Sequence, residues 1–169
     1  MLIQTKPHIV ELGKVHARDD FFCGESALDN YLREQASQDQ RRRVSRVFVA
    51  EGESRKQIIG FYTLSAASVE ARNFPSPLST KLPKYPIPVA LIGRLAVEHR
   101  YQGIGLGGYL LADALERVLL ASRSIAVFSV IVAAKDERAK AFYRKFGFEG
   151  FAQMDKRLFL PLAMIEKMR

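Results

Sequence analysis

Between two apolar segments the chain reads Arg94-Leu95-Ala96-Val97-Glu98-His99-Arg100-Tyr101-Gln102-Gly103-Ile104-Gly105-Leu106-Gly107-Gly108. An apolar strand ends, a glycine-rich turn follows, and an apolar-striped helix begins. Such a junction turns several backbone N–H groups toward a phosphate at the positive end of a helix. Glycine matters there because the main chain approaches an anion with no Cβ in the way. The phosphate reading rests on Arg100-x-x-Gly103-x-Gly105. Gly107 and Gly108 also fit close helix packing, and Arg100 fits either a phosphate contact or a solvated turn. The P-loop is excluded, because Gly108-Tyr109 stands where a Lys-Ser or Lys-Thr pair belongs. A dinucleotide fingerprint fits poorly: residues 103–108 contain a GxGxxG, but mid-chain, and no acidic residue ends a strand about twenty residues on.

A second constellation is Ala139-x-x-Phe142-Tyr143-x-x-Phe146-Gly147-Phe148. A tyrosine hydroxyl can give a proton to a leaving group, although the position of Tyr143 on an apolar stripe is equally that of a packing residue. Glu98 is a candidate water-assisted base. Cys23 has no activating partner in the sequence and reads as a small packed residue. His8, His16 and His99 show no metal-ligand spacing, and neither an HExxH nor a paired-cysteine motif occurs, so no metal is expected. Basic residues fall into groups: Arg41, Arg42, Arg43 and Arg46; Lys135, Arg138, Lys140, Arg144 and Lys145; and Arg72, Lys81 and Lys84. Each group alone reads as a solvated face. Together they could contact closely spaced phosphates or an acidic protein segment.

Elements must position these residues. A strand is expected over 5–12, then a helix over 27–39 with Ser26 as its N-cap. Strands over 44–50 and 58–66 flank a charged turn at 51–56 and pair antiparallel. Residues 72–88 hold five of the seven prolines and read as one long loop. A strand follows to Val97. The segment 103–121 is a helix with a stripe at Gly107, Leu110, Leu111, Ala114, Leu115, Val118 and Leu119. A buried strand over 125–133 and a helix over 135–146 capped by Gly147 come next, then closing strands at 148–152 and 156–161. The order β-α-β-β-loop-β-α-β-α-β-β is a mixed α/β single sheet, a single domain over 1–169.

The 169 residues suffice for a sizeable core, and 48% are apolar. The net charge of +8, from 26 Lys and Arg against 18 Asp and Glu, favours an anionic partner, with simple solubility the bland alternative. One cysteine allows no internal disulfide and fits a reducing compartment. Residues 1–4 lack a leader's apolar region, and no apolar run reaches the ~20 residues that span a bilayer. A cytoplasmic location is expected.

Gly93-Arg94-Leu95-Ala96-Val97 with Arg100-x-x-Gly103-x-Gly105 resembles the acetyl-CoA site of the GNAT N-acetyltransferases. The Ala139-to-Phe148 motif resembles the later motif of that superfamily. Phe22-Cys23-Gly24-Glu25-Ser26-Ala27-Leu28-Asp29-Asn30-Tyr31-Leu32 extends the likeness to the GNAT toxins of bacterial toxin–antitoxin pairs. The resemblance implies a central mixed, mostly antiparallel twisted sheet splayed at the cofactor site, with helices on both faces. It implies that Leu95, Ala96 and Val97 hold the pantetheine arm, and that Arg100, Gln102, Gly103, Ile104, Gly105, Leu106 and Gly107 hold the pyrophosphate. Tyr143 becomes the proton donor. The implied activity is acetylation of the α-amino group of aminoacyl-tRNA, which blocks translation. Arg41, Arg42, Arg43, Arg46, Arg94, Lys135, Arg138, Lys140 and Arg144 are the candidate tRNA contacts. A ribbon-helix-helix antitoxin that also binds operator DNA, and a homodimer, are implied as well. The alternatives are an acetyltransferase acting on a protein or small amine, and a non-catalytic domain that binds nucleic acid or a partner.

Overall fold

The computed structural model describes residues 6–169, so the leader reading of residues 1–4 and the start of the first expected strand lie outside the described residues. Among the described residues seven strands hydrogen-bond in the order β1-β2-β3-β4-β5-β7-β6. They are β1 (His8–Glu11), β2 (Arg46–Glu51), β3 (Ile58–Val69), β4 (Ile87–Val97), β5 (Ser129–Ala133), β6 (Glu149–Gly150) and β7 (Arg157–Pro161). Antiparallel pairing joins β1 to β2, β2 to β3, β5 to β7 and β6 to β7. β4 and β5 pair parallel, as the crossover through helix α4 (Leu106–Ala121) requires. The mixed, mostly antiparallel sheet expected from the sequence is therefore present.

By internal packing the chain divides into two units, residues up to Ser65 with Gly93–Ala114, and Ala66–Ile92 with Leu115–Arg169. In the first, Phe21, Leu32, Val47, Phe61 and Ala96 form the core, with the Phe21 and Phe61 rings edge-to-face at 5.5 Å. The expected helix over 27–39 is real but composite: α1 (Ser26–Asn30), a π-helical turn (Tyr31–Gln35) and α2 (Ala36–Arg41). Ser26 is the first helical residue and not the N-cap. That position belongs to Glu25, whose side chain makes no cap bond. The side chain that ties down this helix entry is buried Asp29, which accepts the Cys23 N–H at 2.9 Å. Cys23 is itself buried, as a packed residue would be.

Glu51, near the end of β2, collects two histidines that the sequence leaves scattered. His16 Nε2 lies 2.8 Å from one carboxylate oxygen and His8 Nδ1 2.9 Å from the other. His16 Nδ1 accepts the Gly13 N–H at 2.9 Å, which places the ring proton on Nε2, facing Glu51. Burial by itself would raise the Glu51 pKa. The hydrogen bonds from His16 and His8 outweigh it and hold the carboxyl below its ordinary value. A carboxylate held low adds stability above the unfolded chain's pKa and loses it as pH falls through the folded one. Glu51→Gln should therefore lower the Tm by several degrees at pH 7, about 1–3 kcal/mol for a broken buried pair. The difference should shrink as pH falls below the ordinary glutamate pKa of about 4.3 and on through the lower folded-state value, beyond which the carboxylate is protonated in both states. Melting curves of the two proteins from pH 7 to pH 3 check this.

The second unit packs Val69, Phe74, Ile87, Val89, Ile131 and Phe159 together, with Phe74 edge-to-face on Phe128 at 5.5 Å and on Phe159 at 5.1 Å. The proline loop is less featureless than expected. It holds a 3₁₀ turn (Ala71–Asn73) and the four-residue helix α3 (Leu78–Lys81). Pro88 is tolerated near the start of β4 because its carbonyl accepts the Phe128 N–H at 2.9 Å, which needs no proline donor. The strand expected over 125–133 is only Ser129–Ala133, and Ile125 is exposed. Helix α5 (Glu137–Arg144) is N-capped by Asp136, which accepts the Ala139 N–H at 2.8 Å. A last helix, α6 (Leu162–Lys167), was not foreseen; it buries only Leu162 and Ile165, too few positions to establish a period. No helix among the described residues is long and apolar enough to cross a membrane.

Candidate active site

The β4 strand has the bounds the sequence suggests, and its registered pairing with β5 ends at Ile92 with Val132. It continues five residues further, to Val97. Ala96 is buried in the core of the first unit, so Leu95 and Val97 alternate to the opposite face of the strand.

Beyond Val97 each side chain has a bracing task. The Glu98 N–H donates to the Ile59 carbonyl at 2.9 Å. The Glu98 carboxylate is nearly buried and accepts from the Arg100 N–H at 2.7 Å and from Arg100 Nε at 3.2 Å. Glu98 thereby caps a 3₁₀ turn (His99–Tyr101), and its carboxylate is committed to Arg100 instead of being held as a base. The Arg100 side chain stays 68% exposed, and its Nη atoms have no partner among the described residues, so they remain open to an anion. Gln102 Nε2 donates to the carbonyls of Val97 at 2.9 Å and Cys23 at 2.8 Å. The His99 N–H donates to the Phe22 carbonyl at 2.7 Å. The Phe22-Cys23 motif near the chain start is thus a brace for the glycine loop. Nothing in either segment alone discloses that.

Gly103 and Gly105 take φ of +79° and +93°, the left-handed region that side chains avoid, and a Cβ on either would project into open space. Leu106 is buried and anchors the helix start. Tyr109 N–H to Gly105 C=O (3.2 Å) is an i→i−4 bond, so the amides of Leu106, Gly107 and Gly108 precede the helical ladder. Loop and helix start therefore offer unpaired donors, a positive helix end and open space above two glycines. These features fit a diphosphate. Ile104 and Leu106 contribute only backbone on this reading.

Tyr143 lies in the second unit, on α5. The residue is 5% exposed, and its ring packs edge-to-face on Phe142 at 5.1 Å and Phe148 at 5.6 Å. Burial pushes its hydroxyl well above the ordinary tyrosine pKa, so it is protonated at neutral pH. The hydroxyl has no partner among the described residues, yet no fully buried side-chain oxygen lacks one. The ring is therefore enclosed while its tip remains reachable. Packing and proton donation, alternatives in the sequence, are compatible in the structure.

The basic residues separate into three kinds. Arg41, Arg42, Arg43 and Arg46 are exposed on the first unit, with Arg46 3.3 Å from Glu11. Lys135, Arg138 and Arg144 are exposed on the second. Lys140, expected among the contacts, is instead 8% exposed and bound to Asp155 at 3.2 Å and Glu137 at 3.4 Å. Asp155 lies in a loop that helical periodicity does not reach. Arg94 is half-buried against Tyr31. Among the described residues, no group of three or more His, Cys, Asp or Glu could hold a metal ion.

Residues 43–150 match the family model described as "Acetyltransferase (GNAT) domain". The chain is 40% identical over 129 residues to a tRNA-acetylating toxin of Mycobacterium tuberculosis, covering 76% of each chain. It is similar to the solved structure of AtaT complexed with acetyl-methionyl-tRNAfMet, with a TM-score of 0.89 and 30% identity over 95% of this chain and 98% of that one. A tyrosine-to-phenylalanine mutant of the AtaT toxin, bound to the C-terminus of the antitoxin AtaR and acetyl-CoA, gives a TM-score of 0.82 at 27% identity, covering 97% and 98%. With the strand, glycine loop and helix start in the arrangement described, the chain belongs to the GNAT acetyltransferase family.

Proposed function

We propose that this chain, with residues 1–169 working as one domain, moves acetyl from acetyl-CoA to the α-amino group of aminoacyl-tRNA, blocks translation, and is neutralised by a cognate antitoxin. The observation that carries the reading is the 40% identity to a tRNA-acetylating toxin, which spans the glycine loop's strand and helix. The Leu95 and Val97 main chains would hold the pantetheine arm in the manner of an added strand. Arg100 and the amides of Gln102, Gly103, Ile104, Gly105, Leu106 and Gly107 would hold the pyrophosphate. Bound there, acetyl-CoA supplies an activated acetyl thioester. The acceptor needs little base catalysis, because an α-amine with a pKa near 8 is about one-tenth neutral at pH 7. Tyr143 keeps a proton on its hydroxyl oxygen, available to a departing thiolate.

Exposed Arg41, Arg42, Arg43, Arg46, Lys135, Arg138 and Arg144 would meet tRNA phosphates. Support comes from how Arg43 is held. Helix α2 ends with the Val44 N–H on the Asp39 carbonyl at 3.1 Å and the Arg43 N–H on the Gln40 carbonyl at 3.1 Å, with Arg43 at φ +61°. Helix α5 ends in the same pattern, with Gly147 at φ +95° in the corresponding place. Glycine belongs in that place. An arginine there costs about 1 kcal/mol of backbone strain, which a phosphate contact would offset. Arg43→Gly should therefore raise the Tm by a few degrees while weakening charged-tRNA binding several-fold. Thermal melts and filter binding at two salt concentrations check both halves.

The direct test supplies acetyl-CoA with bulk charged tRNA, uncharged tRNA, or lysine-rich peptide. Transfer confined to charged tRNA supports the reading, whereas transfer to peptide alone overturns it. A ribbon-helix-helix antitoxin, a homodimer and a cytoplasmic location complete the proposal. A small ribbon-helix-helix reading frame beside this one, and sedimentation at the dimer mass, would support the first two.

A further inference from the structure

We infer that Arg94 takes up a phosphodiester at the acceptor end of the charged tRNA, an inference that rests on the aminoacyl-tRNA reading above. The guanidinium carbon of Arg94 lies 3.6 Å from the centroid of the Tyr31 ring. That ring cannot move away: Tyr31 is 2% exposed, and its hydroxyl donates to Asp39 at 2.9 Å. It belongs to the π-helical turn Tyr31–Gln35, a rare insertion that tends to mark functional sites. The backbone of Arg94 is fixed as well. Its N–H donates to Thr63 Oγ1 at 3.1 Å, and Thr63 is 2% exposed.

The guanidinium itself has no carboxylate at ion-pair distance and makes no hydrogen bond among the described residues. Some exposed arginines do have one: Arg46 has Glu11, Arg100 has Glu98, and Arg169 has Glu116, while Arg94 is the half-buried case. A cation half out of water, stacked on a ring but with no anionic partner, is incompletely compensated until an anion arrives. Stacking occupies the face of the fork and leaves its in-plane N–H donors for a bidentate acceptor. Residue 94 directly precedes the strand end assigned to the coenzyme, so the anion it takes belongs to the reacting end of the acceptor. An aminoacyl ester has no free carboxylate. The anions there are phosphodiesters.

The test compares two short acceptors carrying an amino acid that the enzyme acetylates on bulk charged tRNA. One is the aminoacyl-adenosine, without phosphate. The other is the aminoacyl cytidylyl-adenosine, with one phosphodiester. The wild type should favour the second about ten- to hundredfold in kcat/KM, the range of a charge-assisted bidentate contact. Arg94→Gln should bring that ratio close to one with acetyl-CoA affinity unchanged by calorimetry, and Arg94→Lys should keep only part of it. A preference retained in Arg94→Gln overturns this inference alone. So does an equal loss on both acceptors accompanied by weakened acetyl-CoA binding, which would make Arg94 a structural strut. A wild type inactive on charged tRNA overturns the aminoacyl-tRNA reading and this inference with it.

Discussion

Tyr143→Phe should lower kcat by about 10²–10⁴-fold, the range of a lost general acid, and leave acetyl-CoA affinity unchanged. The substitution deletes one oxygen from a ring whose packing against Phe142 and Phe148 does not involve it. Because the hydroxyl has no partner among the described residues, its loss exposes no buried acceptor, and the Tm should hold. The pH dependence separates acid from base. Burial raises the Tyr143 pKa, so the phenol stays protonated through the neutral range and its titration gives no alkaline fall until well above the ordinary tyrosine pKa of about 10. The rate should instead rise with pH as the acceptor amine, with a pKa near 8, loses its proton. A mutant with undiminished kcat would move the acid role elsewhere. A profile falling between pH 8 and 10 would contradict the protonated phenol.

What the sequence discloses about this site is what is local in it. The glycine loop announces itself because positive-φ positions accept few other residues, and Gly103 and Gly105 both occupy that region. The α4 stripe is legible because burial of Leu110, Leu111, Ala114, Val118 and Leu119 repeats at the helical period. The pairs that brace the site are not legible. Gln102 finds Cys23 across 79 residues, and Arg94 finds Tyr31 across a comparable separation. Periodicity carries no information at that range. Local preference also misleads where tertiary contacts replace it. Ser26 is a favourable cap residue, but Asp29 holds the preceding turn instead. Lys140 shares a helix with exposed Arg138 and Arg144, but it is buried and paired with Asp155. The apolar run before Ser129 looks like strand, but Phe128 is spent on the Phe74 cluster.

Gly105→Val should weaken acetyl-CoA binding on the order of 100-fold or more, the cost of losing two or more charge-assisted amide contacts to phosphate. Two effects add. Valine at φ +93° is strained by about 1–2 kcal/mol, which turns the loop amides out of alignment. Its side chain also enters space that the protein leaves empty, since nothing lies within 4 Å of a Cβ there. That emptiness makes the experiment decisive, because in the free protein the added Cβ has no atom within 4 Å and backbone strain is the main effect on the melting temperature. Gly147→Ala supplies the control. It places a side chain at φ +95° with only an ordinary contact, 3.6 Å from Leu160, so it should cost similar stability. It should leave coenzyme affinity intact by calorimetry. If the two variants lose stability alike and only the first loses acetyl-CoA, the space above Gly105 belongs to the coenzyme. A phosphate-free acetyl thioester of pantetheine should then serve wild type and Gly105→Val almost equally, since it never reaches the amides that the substitution disturbs. Equal coenzyme affinity in all three proteins would instead reduce the glycines to a tight turn and remove the phosphate cradle from this loop.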